Sequence, residues 1–339
     1  MSTAPLAVGV AGVGSLGFHH ARLYATLPEA RLVGVFDARP ERAQEVAGQL
    51  KTRAFPTYQA LLDEVDAVSV VTPTPAHHAA TMAALAKRRH VLVEKPLAAT
   101  IAEAEELVAE AERAGVVMQT GHVERFNRAV RAAAPHLKGP RYIESDRVAP
   151  FGVRGSDVAV ILDLMIHDLD LVLSLVKEPV ADVRASGIGV LTSSVDIATA
   201  RIEFASGAVA NLTASRMARE RIRKLRIFQP SGYLSLDLAA GTGEFLRLRK
   251  DALALLAGAL AGGGGDGPPD LSRIVEQVAI DAPAGEPLAL ELASFVRAVR
   301  GAEPVAVSGR EGLEALRLAF RVMDAMAAGR GAQVLAPQA

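Results

Sequence analysis

The sequence predicts an α/β protein of two domains: a doubly wound parallel sheet, followed by an α+β domain with a large, mostly antiparallel open sheet. The chain has 339 residues, more than the roughly 100–200 residues of a usual single domain. Through the first third, apolar strand patterns alternate with helix patterns, which is typical of parallel sheets. From Ala181 to Phe228, strand patterns follow one another without helices between them, which favours antiparallel pairing. We therefore expect one domain over residues 1–121 and a second over residues 122–339.

The first strand, Val8–Ala11, runs into a turn with the pattern Gly-x-Gly-x-x-Gly, and a helix begins after it. Its three glycines permit a tight turn, a close approach of a pyrophosphate and close packing of the helix on the strand. A second apolar run, Leu32–Phe36, ends in Asp37, about 20 residues further on, where an acid holds a ribose 2′-hydroxyl. These features favour an NAD-binding Rossmann domain over an ordinary tight turn. The residues predicted to hold the cofactor here are Gly12, Gly14, Ser15, Leu16, Gly17 and Asp37.

The rest of the first domain continues the alternation of strands and helices. Pro40 suits a first helical turn, Thr72-Pro73 ends a strand, and Gly115 is a natural helix C-cap. The predicted strands are Leu32–Phe36, Ala67–Val71, His90–Val93 and Val116–Gln119, and the predicted helices are Pro40–Leu50, Ala76–Lys87 and Ile101–Ala114.

In the second domain, Ser206-Gly207 predicts a hairpin turn between two alternating strands. The glycine-rich segment 257–269 predicts a surface loop, with a lid as the alternative. The predicted helices are Phe126–Ala134, Val158–Val176, Pro287–Arg300 and Arg310–Ala328, and the predicted strands are Tyr142–Val148, Ala181–Gly187, Ala198–Phe204, Ala208–Arg216 and Lys224–Phe228.

The charges of the chain nearly balance, with 37 Lys and Arg against 38 Asp and Glu and a net charge of −1 at pH 7. This balance gives no electrostatic case for binding nucleic acid or an anionic membrane. No run approaches the roughly 20 apolar residues of a membrane span, and the N-terminus lacks a signal-peptide pattern. Because the chain has no cysteine, disulfides and thiolate metal sites are excluded. We expect a soluble, cytoplasmic protein without a metal site.

Lys95 follows the strand His90–Val93, so we expect it at the carboxyl edge of the sheet, where such sheets bind ligands. A lysine there can hydrogen-bond a substrate hydroxyl and stabilise alkoxide character as the proton leaves. Pro96 would make the turn rigid and aim the lysine. The alternative is a surface lysine that is paired with Glu94.

Thr72 and His77 follow the preceding strand, where they would flank the ribose beside the nicotinamide. For His77 and its neighbour His78, the alternative is a pair of solvent-facing helical histidines. Arg39 could neutralise a 2′-phosphate, so NADP stays an alternative to NAD. The predicted cofactor-binding set therefore continues with Thr72, His77, Glu94 and Lys95.

On an α-helix, Asp163 and His167 are four residues apart and share one face. A polar stripe on an otherwise apolar helix is unfavourable when it is buried without partners, so it indicates a purpose. His167 could accept a hydroxyl proton as hydride departs, and Asp163 could orient the imidazole or contact a sugar. Two alternatives stay open: a metal site, and a helix N-terminal acid beside a core histidine satisfied by backbone.

Polar residues at the domain junction and several arginines are candidates for substrate binding. Segment 121–127 is expected to form a cleft wall. Arginines within 215–224 suit an anionic substrate, although most of them are expected to be solvated. The predicted substrate-binding residues are His122, Arg125, Asn127, Arg154 and Arg216.

The glycine turn, Thr72-Pro73, Glu94-Lys95-Pro96 and Asp163-x-x-x-His167 occur in an order that resembles the Gfo/Idh/MocA oxidoreductase family, over nearly the whole chain. The resemblance implies NAD(P)-dependent oxidation of a sugar or cyclitol hydroxyl by an N-terminal Rossmann domain and a C-terminal α/β domain. It implies that Lys95, Asp163 and His167 are the substrate and proton-transfer residues. It also implies a homodimer or homotetramer.

Three stretches, 121–127, 162–168 and 214–216, resemble the subgroup that oxidises UDP-N-acetylglucosamine at C3. This implies a sugar-nucleotide substrate and a downstream aminotransferase, on the way to a diamino sugar of lipid A or related glycans. Arg128 departs from the subgroup, where proline often follows the Phe-Asn pair, and we expect it to affect the turn more than the chemistry. The alternatives are a dehydrogenase of another sugar or cyclitol (a UDP-uronic acid or inositol), a redox-neutral glycoside hydrolase that recycles NAD, and a non-catalytic dinucleotide sensor.

Overall fold

The structure is a computed structural model that describes residues 4–152, 158–249, 252, 257, 274–281, 284–328 and 332–334. Contacts divide the chain into two compact units. The first comprises Met1–Phe126 with Gly285–Phe320, and the second comprises Asn127–Ala284 with Arg321–Ala339. In the described part of the chain, no helix combines the length and apolar character that crossing a membrane requires.

The first unit is built on a six-stranded parallel sheet. Its strands are β1 (Leu6–Ala11), β2 (Ala30–Phe36), β3 (Arg53–Ala54), β4 (Ala67–Val70), β5 (His90–Glu94) and β6 (Met118–Gly121). The first five helices are α1 (Ser15–Tyr24), α2 (Pro40–Leu50), α3 (Tyr58–Glu64), α4 (His77–Ala86) and α5 (Ile101–Ala114). The strand order is β3-β2-β1-β4-β5-β6, with every pair parallel. The predicted doubly wound sheet is confirmed, and its order reverses between β1 and β4, where such sheets bind ligands.

The second unit is built on a nine-stranded sheet. Its strands are β7 (Tyr142–Pro150), β8 (Val180–Gly189), β9 (Ile197–Phe204), β10 (Val209–Ala218), β11 (Ile222–Gln229), β12 (Gly232–Asp237), β13 (Thr242–Leu248), β14 (Val275–Ile280) and β15 (Ala332–Val334). The order is β14-β13-β12-β11-β7-β10-β9-β8-β15, and only the β7–β10 and β8–β15 pairs are parallel among the described strands. The predicted large, mostly antiparallel sheet is therefore confirmed. The further α-helices that are described over their whole length are α6 (Arg128–Ala133), α7 (Ile166–Val176), α8 (Pro287–Val299) and α9 (Gly309–Ala328).

Helix boundaries in the first unit follow from local chemistry. Pro40 opens α2, because its fixed φ suits a position whose N–H has no helical partner. A capping box opens α5, in which Thr100 accepts from the Glu103 N–H and Glu103 accepts from the Thr100 N–H. Gly115 ends the same helix with φ 65°, in the left-handed region. The predicted bounds of both helices are confirmed.

The first unit also takes in residues from the far end of the sequence. In α8, Leu292, Phe295 and Val296 are fully buried and belong to the same hydrophobic cluster as Val8 and Val10 of β1. The division therefore differs from the boundary expected after Gly121. An amphipathic helix must bury its apolar face, but its sequence does not say against which sheet.

Strand pairing in the second unit confirms one predicted turn and adds strands. β9 and β10 pair antiparallel, and Gly207 in the turn between them has φ 80°. The predicted strands end at Phe228, whereas β12, β13 and β14 continue the sheet beyond it. β12 does carry the period-2 signal of a half-buried strand, because Leu234 and Leu236 are buried on one face. Apart from residue 257, the glycine-rich segment 257–269 lies outside the described residues.

The predicted helix Val158–Val176 is wrong as a single regular α-helix. Residues Ile161–Met165 form a π-helical turn, and α7 begins at Ile166. The N–H of Ile166 donates to the carbonyl of Ile161, five residues earlier, whereas an α-helix bonds four residues back. A widened turn of this kind is frequent at functional sites.

Candidate active site and cofactor site

The glycine turn leaves no space for side chains at two of its glycines and open space at the third. A Cβ on Gly12, which has φ 84°, would lie 2.7 Å from the Val71 carbonyl oxygen, and one on Gly17 would lie 1.8 Å from the Gly12 carbonyl oxygen. At Gly14, by contrast, no atom of a described residue outside its chain neighbours lies within 4 Å of the Cβ position. The turn is thus tightly packed at Gly12 and Gly17 and open at Gly14, as the approach of a pyrophosphate requires.

The N-terminus of α1 faces this opening. Gly14 is the N-cap, and no side chain of a described residue caps the helix by a hydrogen bond. The N–H groups of the first turn, which contains Ser15 and Leu16, are therefore available to a ligand. Together with the positive end of the helix dipole, they form a site suited to an anion.

Asp37 lies beside the glycine turn, as predicted for a ribose-binding acid. Its Oδ2 accepts from the Val13 N–H at 2.8 Å, and its Oδ1 accepts from the Arg39 N–H at 3.0 Å. Each carboxylate oxygen keeps a second lone pair for a hydroxyl donor. The side chain of Arg39 is 70% exposed, with Nε 3.6 Å from Oδ1 of Asp37. The open cradle at Gly14 and this fixed carboxylate fit the pyrophosphate and the ribose of NAD.

The loops after β4 and β5 are joined by a buried histidine. His77, at the start of α4, has Nδ1 2.8 Å from the Pro96 carbonyl oxygen and Nε2 2.8 Å from the Thr72 carbonyl oxygen. Burial lowers the pKa of His77, although both carbonyls and the charge of Glu94 act in the opposite direction. The solvent-facing alternative is therefore wrong for His77. Its neighbour His78 is a half-buried partner of a glutamate on α5.

Glu94 is buried at the end of β5 and is held by His20 of α1. His20 Nε2 lies 3.0 Å from Glu94 Oε1, and Glu94 Oε2 accepts from the Lys95 N–H at 3.2 Å. Burial acts to raise the pKa of Glu94, but the hydrogen bond and charge of His20, with the charge of Lys95, leave it below its ordinary value. A Cβ on Gly121 would lie 2.9 Å from this carboxylate. The absence of a side chain at Gly121, at the end of β6, therefore leaves room for the carboxylate of Glu94.

Lys95 is half-buried and follows this anchored carboxylate at the carboxyl edge of the sheet, as predicted. The Lys95–Pro96 peptide bond is cis. Sequence reasoning missed His20, which lies 74 residues from Glu94 along the chain. Its only local signal is a polar side chain on the buried face of α1.

The junction residues that were predicted to bind substrate contact other described residues in the structure. His122 is buried, and its N–H donates to the Thr120 carbonyl at 2.9 Å. Arg125 Nη1 lies 3.3 Å from Glu311 Oε1. Asn127 caps α6, with Oδ1 accepting from the Ala129 N–H at 3.0 Å, while its Nδ2 donates to the carbonyl of Leu238, just after β12, at 2.8 Å. That cap indicates a structural use of Asn127.

Asp163 lies in the π-helical turn and His167 in the first turn of α7, and both are half-buried. The shared face was predicted for a regular α-helix, and across this π-helical turn it stays a prediction. Directly after His167, Asp168 receives a bidentate contact from Arg147 of β7, at 2.7 and 2.9 Å. Both partners are almost fully buried, so this ion pair ties the start of α7 to the sheet.

Arg216 is 4% exposed, which separates it from the solvated arginines of the same stretch. Its Nη2 donates to the Val158 carbonyl at 2.6 Å, and its Nε lies 3.8 Å from Asp196 Oδ1. These contacts hold the segment that leads into the π-helical turn. Arg154 lies outside the described residues. Within the described part of the chain, no group of three or more His, Cys, Asp or Glu side chains is arranged to hold a metal ion.

The parallel sheet, the open glycine turn and Asp37 define the first unit as a dinucleotide-binding domain. Models of two protein families match the chain in the corresponding places. Residues 6–122 match an oxidoreductase family with an NAD-binding Rossmann fold, and residues 128–235 match the GFO/IDH/MocA C-terminal domain. The chain belongs to the Gfo/Idh/MocA family of NAD-binding oxidoreductases, as its motifs predict.

Two proteins illustrate the similarity. The chain is 40% identical to UDP-N-acetylglucosamine 3-dehydrogenase of Acidithiobacillus ferrooxidans over 321 residues, which cover 94% of this chain and 97% of that protein. A solved structure of the enzyme from the same species matches with a TM-score of 0.86 over 95% of this chain and 98% of that one. Myo-inositol 2-dehydrogenase of Thermotoga maritima is 27% identical, covering 92% and 94% of the two chains.

Proposed function

We propose that this protein uses NAD to oxidise a sugar-nucleotide hydroxyl to a ketone, with C3 of UDP-N-acetylglucosamine as the oxidised position. The observation that carries the proposal is the 40% identity, over 94% of the chain, to a UDP-N-acetylglucosamine 3-dehydrogenase. The stretches 121–127, 162–168 and 214–216, which resemble that subgroup, support the same substrate.

In the proposed reaction, the glycine turn holds the pyrophosphate and Asp37 holds a ribose hydroxyl. NAD, when bound, supplies the acceptor for hydride. Lys95 donates a hydrogen bond to the reacting oxygen and stabilises its alkoxide character. A ring nitrogen of His167 takes the hydroxyl proton, and Asp163 orients that ring. The carbon loses a hydride and its oxygen loses a proton, so the products are the ketone, NADH and protonated His167.

The first experiment follows absorbance at 340 nm after purified protein and NAD are mixed with UDP-N-acetylglucosamine. A partner aminotransferase and 2-oxoglutarate are added in a second arm, to pull the equilibrium by consuming the ketone. We expect NADH, and an aminated sugar nucleotide in the second arm. NAD binding without either product would contradict the proposed substrate.

Variants test the roles of individual residues in the same assay. We expect K95A and H167A to lower kcat about 100-fold or more, since positioned acid–base groups contribute ~10²–10⁴-fold. The affinity for NAD is expected to stay unchanged in both. Near-normal turnover in both variants would contradict the proposed roles.

A second candidate function is oxidation of inositol, which the 27% identity to myo-inositol 2-dehydrogenase favours. A myo-inositol arm in the same assay separates the two substrates. The remaining alternatives differ in their products: a redox-neutral hydrolase releases sugar without net NADH, and a sensor binds NAD without turnover.

The proposal extends to location and assembly. We infer a cytoplasmic protein that forms a homodimer or homotetramer and passes its ketone to an aminotransferase. The family resemblance and the broad open sheet of the second unit support an oligomer. Light scattering of the purified protein measures its mass, and a monomeric mass would contradict the inferred assembly.

A further inference from the structure

Lys95 lies in a turn whose two flanking residues are each held by a buried histidine. On one side, the Nε2 of His20 contacts the carboxylate of Glu94 at 3.0 Å, and that carboxylate also accepts from the Lys95 N–H. On the other side, the Nδ1 of His77 contacts the carbonyl oxygen of Pro96 at 2.8 Å. The turn is therefore tied to α1 on one side and to α4 on the other.

Both contacts are protected from water. His20 is 0% and His77 is 1% exposed, so neither ring can exchange its partner for solvent without opening the fold. A buried polar group that loses its partner is left unsatisfied away from water, which is unfavourable and keeps each ring in place. The Nε2 of His77 lies 2.8 Å from the Thr72 carbonyl oxygen, and because a neutral imidazole carries one N–H, each tautomer of the ring donates to one of these two carbonyls.

We propose that His20 and His77 are positioning residues, which hold the turn Glu94-Lys95-Pro96 and thereby aim the amine of Lys95 at the reacting hydroxyl. The inference rests on the proposed function, since it requires that Lys95 acts on the substrate. Each histidine acts through a neighbour of Lys95 and takes no part in the proton transfer. Misplacing a reacting group by about 1 Å can lower a rate ~100-fold, so small displacements of the turn are enough to matter.

The two rings hold the turn with different nitrogens, and this difference makes the proposal testable. The terminal amide of asparagine lies near the position of imidazole Nδ1, whereas that of glutamine lies near Nε2. Because an amide N–H donates to a carboxylate or a carbonyl, each substitution preserves one contact. For His20 the contact with Glu94 is preserved by glutamine, and for His77 the contact with Pro96 is preserved by asparagine.

We expect the glutamine variant to be the more active one at His20 and the asparagine variant to be the more active one at His77. The matched variants H20Q and H77N are expected to keep roughly ten times the kcat of the mismatched variants H20N and H77Q, about the effect of one hydrogen bond. The dissociation constant for NAD, measured by calorimetry, is expected to stay the same within each pair. His78 lies next to His77 but contacts Glu106 on α5, so H78N and H78Q are the control pair, with no difference in kcat.

Because kcat is compared for folded protein, a loss of stability alone does not produce this reversal. If asparagine and glutamine have equal effects at either site, or if all four variants unfold, the positioning role is overturned. The variant K95A separates this outcome from failure of the proposed function. If K95A turns over normally, the proposed function fails at Lys95. If K95A is inactive and the reversal is absent, only the positioning role fails.

Discussion

Replacing Gly17 by alanine tests whether the glycine turn is the cofactor cradle. The added Cβ would lie 1.8 Å from the Gly12 carbonyl oxygen, whereas ordinary contact begins at 3.4 Å. Helix and turn must therefore separate by about 1.6 Å. Overpacking of this kind typically destabilises by ~1–3 kcal/mol, and the backbone atom contacted here cannot rotate away. A shift of more than 1 Å in the N–H groups that hold a pyrophosphate breaks hydrogen bonds to a charged group, each worth about 1.5–3 kcal/mol, so NAD binding is expected to weaken about 10–100-fold.

Alanine substitutions at two other glycines of the same unit distinguish effects on the stability of the protein from effects on its affinity for NAD. At Gly14 an added methyl contacts no atom of a described residue, so G14A is expected to melt like the wild type but to bind NAD more weakly, because the methyl occupies the ligand's approach. Gly48 lies inside α2 with equally open space, so G48A is expected to stabilise by roughly 0.5–1 kcal/mol without changing NAD affinity.

The assay is calorimetric titration with NAD beside a thermal melt of each variant. Binding by G17A with wild-type affinity would refute the argument that this turn cradles the cofactor. Equal NAD affinity for G14A and wild type would show that the open face of the turn is not where the ligand lies.

Asp168 makes a buried ion pair with Arg147, so we expect D168N to lower the free energy of unfolding by about 3–5 kcal/mol. Unfolding in urea measures this loss, and a loss below ~1 kcal/mol, as for an exposed pair, would contradict the prediction. D37A is expected to raise the Kd of NAD about tenfold and that of NADP by less, since only NAD offers the 2′-hydroxyl; equal changes in calorimetry would refute the ribose contact. Burial holds the pKa of His77 below 6.5, so the folded state binds fewer protons than the unfolded chain. The stability that neutral His77 contributes to the folded state is complete above pH 6.5 and is lost as pH falls through the pKa of the folded state. Between about pH 7.5 and 5, the Tm of H77N is therefore expected to fall less than the Tm of the wild type. Equal falls in Tm would contradict this.

The sequence predicts the parallel half of the fold well because each of its elements carries its own signal. Pro40 and Gly115 mark helix ends by backbone chemistry that acts within a few residues. The return of α8 to the first unit has no such signal, since an apolar helix face does not specify the sheet on which it packs. The π-helical turn at Ile161–Met165 is also hidden, because apolar periodicity barely differs between the two kinds of turn.

For the candidate site, the sequence predicts which chain segments meet at the sheet edge but not the contacts made there. Asp37 and Lys95 lie where strand ends place them. His20 and Glu94 meet only because helix α1 packs on the sheet that contains β5, and pairing across 74 residues leaves no local pattern. Arginine is a residue type that binds anionic ligands, yet the side chain of Arg216 donates to the backbone carbonyl of Val158. The catalytic roles of Asp163 and His167 stay predictions.

The return of α8 to the first unit has a consequence for synthesis on the ribosome. The first 126 residues emerge with their sheet complete, but the cluster around Val8 and Val10 still lacks Leu292 and Phe295. About 200 further residues must be made before the unit is whole, which takes roughly 10–40 s at about 5–20 residues per second. During this interval the nascent chain exposes an apolar surface, so a chaperone that binds such surfaces is expected to engage it until the C-terminal helices arrive.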